Sequence, residues 1–83
     1  MKVVFKLFAT LTDLLPAERE GNVVELELAA GTTVQDVIDR FRVPPRSAHL
    51  VLVNGVFVPP GGRAQRELSE GDELAIWPPI AGG

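Results

Sequence analysis

The residues best placed to do chemistry stand at the end of the chain: Pro78-Pro79-Ile80-Ala81-Gly82-Gly83. The two prolines bias the backbone toward extended polyproline II geometry, which advances about 3.1 Å per residue. Six such residues are expected to project roughly 15–20 Å from the last strand. Glycine lacks a Cβ, so a Gly-Gly end can thread a narrow channel and lay its backbone against a nucleotide or cofactor held by another protein. A plain carboxylate is a poor electrophile, since it is negatively charged and has no good leaving group. Chemistry at Gly83 therefore requires adenylation or a similar activation. Two terminal glycines arise by chance in about one chain in 200, but the preceding Pro-Pro-Ile-Ala is neither a tag nor a flexible linker.

No other constellation competes. The sequence carries no P-loop and no dinucleotide fingerprint, and Gly61-Gly62 lacks the context of either. The activating enzyme must then be a separate protein, and this chain is expected to bind no cofactor. Cysteine is absent, which removes a disulfide framework, a thiolate nucleophile and a Cys-based zinc site. A single histidine, His49, cannot form a metal cluster alone and reads as a surface or strand-start residue. Glu25, Glu27, Glu70, Asp72 and Glu73 fall on expected turns and solvent faces, where they read as solvated charge that could at most steer a basic partner. Net charge is −3, from 8 basic and 11 acidic residues, and the basic ones are scattered, which argues against a nucleic-acid stripe. The start lacks the apolar run of a signal peptide, and no apolar stretch approaches a membrane span. A cytoplasmic protein without nucleic-acid or membrane partners is the expectation.

Eighty-three residues allow one domain, expected over 1–77, with 78–83 as an extended tail. Residues 2–9 alternate as a strand, with Val3, Phe5, Leu7 and Ala9 on the core side and Val4, Lys6 and Phe8 facing out. Leu11, Leu14 and Leu15 have the spacing of a helical turn that Pro16 stops. Residues 23–29 form a second alternating strand, broken by Gly31. Thr32 or Thr33 caps a helix, with Gln35 or Asp36 completing a capping box. The apolar stripe of that helix is Val34, Val37, Ile38 and Phe41, and Pro44-Pro45 ends it. Asn54-Gly55 between apolar runs signals a type I′ hairpin pairing Val53 with Val56, Leu52 with Phe57 and Val51 with Val58. Residues 73–77 form the last strand, with Leu74 and Ile76 inward. One helix packed across one face of a mixed sheet is the α+β arrangement this order supports.

Alternation also places Phe8, Phe57 and Trp77 on the outward face, with Leu52 opposite Phe57. Three outward aromatics out of five are expected to cluster as a partner-binding patch.

Together the opening Lys2-Val3-Val4-Phe5 with Phe8-Ala9, the Val53-Asn54-Gly55 hairpin, Ser69-Glu70-Gly71-Asp72-Glu73-Leu74 and the Pro78–Gly83 ending resemble the ubiquitin-like sulfur carriers. The nearest type is the small subunit of molybdopterin synthase (MoaD type), with the thiamine carriers (ThiS type) more distant. The resemblance spans essentially the whole chain. It implies a β-grasp (ubiquitin-like) fold and a non-catalytic subunit with no autonomous active site. An E1-like adenylyltransferase of the MoeB type would use ATP to activate the Gly83 carboxylate, with Gly82 beside it. A sulfurtransferase or cysteine desulfurase system would convert the adenylate to a thiocarboxylate. The tail would then enter the large synthase subunit (MoaE type) and donate sulfur to a pterin precursor. The resemblance further implies partner contacts through Phe8, Leu52, Phe57 and Trp77 and along Pro78, Pro79, Ile80 and Ala81. Related carriers serve thiamine, tRNA thiolation, cysteine synthesis or tungsten-pterin pathways, and some conjugate to lysines. From the residues alone, a lysine-linked modifier and a binding module with an inert end remain alternatives.

Overall fold

The structure is a computed structural model and describes residues 1–79. The expected working end of the tail, Ile80, Ala81, Gly82 and Gly83, lies outside the described residues.

Alternating apolar residues build the sheet. Strand β1 (Lys2–Leu7) buries Val3, Phe5 and Leu7, and β2 (Val23–Glu27) buries Val24 and Leu26. Strands β3 (Leu50–Val53) and β4 (Val56–Phe57) form the hairpin, and β5 (Glu73–Trp77) follows it. The order across the sheet is β2-β1-β5-β3-β4, with β1 and β5 parallel and the other pairs antiparallel. Helix α1 (Val34–Arg40) supplies Val34, Val37 and Ile38 to a core shared with Phe5, Leu7, Val51, Val53, Leu74 and Ile76. This is the β-grasp arrangement: a mixed five-stranded sheet with one main helix. Among the described residues no helix is long and apolar enough to cross a membrane.

Local chemistry sets the bounds of each element. Thr33 caps α1, accepting from the Asp36 N–H while the Asp36 carboxylate accepts from the Thr33 N–H; Asp36 rather than Gln35 completes the box. The far end differs from expectation. Arg42 takes φ 57°, its N–H donates to the Asp39 carbonyl, and the Val43 N–H donates to the Ile38 carbonyl. That is a Schellman ending with arginine where glycine is usual, and it stops the helix before Pro44 is reached. Phe41, at the C-cap, stays half-buried and packs on Phe5 with ring centroids 5.1 Å apart. Strand β1 also ends early: Ala9, expected on its core side, has φ 54° and begins a short 3₁₀ helix, Ala9–Leu14. That turn buries Leu11 and hands the chain to Leu15 and Pro16, as the leucine spacing requires.

The hairpin has the expected register, Val53 with Val56 and Leu52 with Phe57, and the Val58 N–H donates to the Val51 carbonyl at 2.8 Å. Asn54 and Gly55 both have positive φ, 51° and 81°, as a type I′ turn demands. The Asn54 side chain does more than turn the chain. Its amide donates to Asp72 Oδ1 and its oxygen accepts from the Glu73 N–H, each at 2.9 Å. Asp72 Oδ2 accepts from the Ser69 N–H, and Glu70 accepts from the Lys2 N–H. Gly71, at φ 83°, donates to the Lys2 carbonyl. Asp72 is therefore no solvated surface charge: it is buried, and together with Glu70 it stitches three chain segments at one end of the sheet. Asn54→Ala removes a residue tolerant of positive φ and both bridging hydrogen bonds. It is expected to cost about 2 kcal/mol in urea unfolding; a loss under about 0.5 kcal/mol would show that the two turns hold without the bridge.

Candidate functional site: the root of the tail and the sheet face beside it

Although it follows the other four strands in sequence, β5 is third of five in the sheet, flanked by β1 and β3. Its ladders run to its end. The Phe8 N–H donates to the Ile76 carbonyl and the His49 N–H to the Trp77 carbonyl, each at 3.2 Å. Pro78 and Pro79 follow with no N–H to donate, so the ladder cannot continue through them. The tail thus leaves from a strand held on both sides, at a place set by two prolines. Pro78 is half-buried and Pro79 exposed.

Cross-strand partners share a face, so the register defines what lies beside this exit. Leu50 is opposite Trp77, Leu52 is opposite Ala75, and Lys6 flanks Ala75 on the other side. Phe57 faces Leu52. The Phe8 ring stacks on Trp77, with centroids 4.0 Å apart and planes 8° from parallel. Phe57, two strands from β5 and one diagonal step from Trp77, is about 12 Å away by strand spacing. The structure therefore brings two of the three outward aromatics into contact and reaches the third through Leu50 and Leu52. Phe57 is 50% exposed and Leu50 38%, while Phe8, Leu52 and Trp77 are half-buried outside the core. Ala75 faces the same way yet is buried, since its methyl group sits between the longer Lys6 and Leu52.

Leu50 was not among the residues singled out from the sequence, although its i, i+2 relation to Leu52 in Leu50-Val51-Leu52-Val53 places it on the same face. The β1–β2 half of this face is charged instead. Lys2 is opposite Glu27, Val4 is opposite Glu25, and Lys6 pairs with Glu73. His49 is exposed, immediately before β3. Among the described residues no group of three or more His, Cys, Asp or Glu could hold a metal ion. What this surface offers, among the described residues, is an apolar strip ending at the tail's root.

The model of the ThiS family matches residues 5–83. The chain belongs to the ThiS family. It is a ubiquitin-like chain of the sulfur-carrier or SAMP type. SAMP1 from Haloferax volcanii superposes with a TM-score of 0.68 at 26% identity, over 100% of both chains. A protein of Pyrococcus furiosus described as a candidate molybdopterin converting factor, subunit 1, gives 0.68 and 26%, over 95% of this chain and 98% of its own. A ubiquitin-like protein from the archaeon Caldiarchaeum subterraneum, at 20% identity and a TM-score of 0.52 over 99% of this chain and all of its own, shares the fold. No curated protein sequence matches. The ThiS family match runs from β1 into the terminal glycines, so it takes in both the anchored strand and the tail.

Removing the Trp77 ring leaves Phe8 without its stacking partner but opens no core cavity. Trp77→Ala is expected to lower unfolding free energy by about 1–2 kcal/mol. A loss of about 3–5 kcal/mol, typical of a large core truncation, would contradict a ring outside the core.

Proposed function

We propose that this chain is a sulfur carrier for molybdopterin synthesis, with the Gly83 carboxylate as its reacting group. The observation that carries the reading is the tail's origin: a central strand anchored on both sides, ending in Pro78-Pro79 beside an apolar strip. In the first step the carboxylate attacks the α-phosphorus of ATP in a separate adenylyltransferase, giving the acyl-adenylate and pyrophosphate. A persulfide on the sulfur donor then attacks the acyl carbon and AMP leaves, giving an acyl disulfide. A second thiol attacks the donor's sulfur, the S–S bond breaks, the donor departs as a disulfide with that thiol, and the terminus is left as a thiocarboxylate. Sulfur so placed is a far better nucleophile than the carboxylate oxygen and can be delivered inside the pocket of a large synthase subunit. Phe8, Leu52, Phe57 and Trp77, with Leu50, dock the partners, while Pro78 to Ala81 carry Gly82 and Gly83 into their active sites. The likeness to the candidate converting-factor subunit favours the molybdopterin pathway over thiamine, tRNA thiolation or tungsten-pterin supply.

A second reading is a ubiquitin-like modifier whose activated terminus is passed to a lysine amine. The likeness to SAMP1, at the same identity and TM-score, favours it. Both readings share the adenylation step.

Pyrophosphate exchange tests that shared step. With a MoeB-type adenylyltransferase, the full chain is expected to support ATP–pyrophosphate exchange, and a chain lacking Gly83 is expected to support none while unfolding at the same urea concentration. Unimpaired exchange without Gly83 would eliminate both readings. Trp77→Ala should weaken adenylyltransferase binding by more than tenfold, as removal of a central aromatic anchor does.

A further inference from the structure

A cleft of about 360 Å³ opens between α1, the 44–49 segment and the short 3₁₀ turn Pro60–Gly62. It lies on the helix side of the sheet, the face opposite the apolar strip, although its lining residue His49 donates its N–H to the Trp77 carbonyl at the tail's root. Ile38 and Pro60 form part of its apolar wall, and its polar lining comes from Gln35, Arg46, His49 and Arg63. Among the described residues no aspartate or glutamate lines it.

Arg63 is the unusual member. It is 5% exposed, and its guanidinium donates to the carbonyls of Ala48 at 2.7 Å, Val58 at 3.3 Å and His49 at 3.5 Å. Those bonds tie the 44–49 segment to the hairpin, a structural role. They use one N–H each on Nε, Nη1 and Nη2, so each terminal nitrogen keeps one N–H, and they leave the charge without a counter-ion: among the described residues no carboxylate pairs with Arg63. A buried cation without an anion is costly, and carbonyl acceptors alone would be served by a neutral donor. Burial accordingly pushes the Arg63 pKa down. Around it, on a chain of net charge −3, stand a second guanidinium and the single histidine. Asp39, which accepts from the Gln35 amide at 2.9 Å, is outside the lining.

We propose that this cleft binds a small phosphoryl-bearing ligand, with buried Arg63 at its floor and exposed Arg46 and His49 at its mouth. Two fixed positive charges and an imidazole match a phosphate monoester, which carries about −1.5 to −2 near neutrality, better than a single carboxylate. Guanidinium also pairs with phosphate oxygens through two parallel N–H donors. The cleft and the apolar strip lie on opposite sides of the sheet, so ligand and docking partner can be held together. The inference does not rest on the tail's chemistry.

Titration of the ¹⁵N-labelled full chain with inorganic phosphate at constant ionic strength tests it. Saturable amide shifts are expected at Gln35, Arg46, His49 and Arg63, with Leu52 and Phe57 unmoved and acetate binding roughly tenfold more weakly. Arg46→Ala changes an exposed side chain and is expected to leave the fold intact while weakening phosphate at least about fivefold. Arg63→Gln retains a donor for the carbonyls but not the charge, and should abolish binding. Absent shifts, equal shifts with acetate or chloride, or unchanged affinity in Arg46→Ala would each overturn the proposal, and the last holds even if Arg63→Gln fails to fold.

Discussion

The molecule depends on one placement: β5, after the other four strands in sequence, is the middle strand of the sheet. β5 accepts ladder partners on both sides, parallel to β1 and antiparallel to β3, and carries Leu74 and Ile76 into the core. The sheet is incomplete until residues 73–77 are inserted, so the fold closes through contacts between distant parts of the chain. Central strands are also the hardest to open locally. A tail that starts from such a strand has a fixed root, and the two prolines end the ladder there. The same residues that complete the core therefore set where the terminus begins.

The two ends of the sheet divide the work. At one end Asn54, Asp72 and Glu70 spend their hydrogen bonds on backbone and on each other, joining the hairpin, the turn before β5 and the start of β1. These are the residues of the Val-Asn-Gly and Glu-Gly-Asp-Glu motifs, and their geometry makes them structural. At the other end Phe8 and Trp77 stack on the outer face where the chain exits. Aromatic surface is left partly exposed where a partner can use it, while polar side chains are consumed where only stability is needed.

Much of this was legible in the chain. Period-two alternation located all five strands and both faces because the sheet is covered on one side only, which keeps the pattern clean. The Asn-Gly signal fixed the hairpin register, and the outward positions of Phe8, Phe57 and Trp77 followed from the alternation within their own strands. Features that escaped depended on contacts distant in sequence. The burial of Asp72 arises from Asn54, eighteen positions away, and that of Arg63 from carbonyls five to fifteen positions away. Nothing local marks Ala9 or Arg42 as left-handed, since neither is glycine or asparagine. The helix accordingly ended at Arg40, turned off by the left-handed Arg42 rather than by the more conspicuous Pro44-Pro45. Leu50 was readable and overlooked, because a short apolar run hides which of its residues face out.

If the terminus is the working part, its chemistry must leave a mark on the protein itself. The most direct measurement is the intact mass of the chain purified from its native host under non-reducing conditions, with fragmentation to locate any change. A carrier role requires a fraction of molecules heavier by the exchange of one oxygen for sulfur, localised to Gly83. A population with an unmodified Gly83 carboxylate alone, neither sulfurated nor joined to another protein, would contradict a terminus that is activated and used.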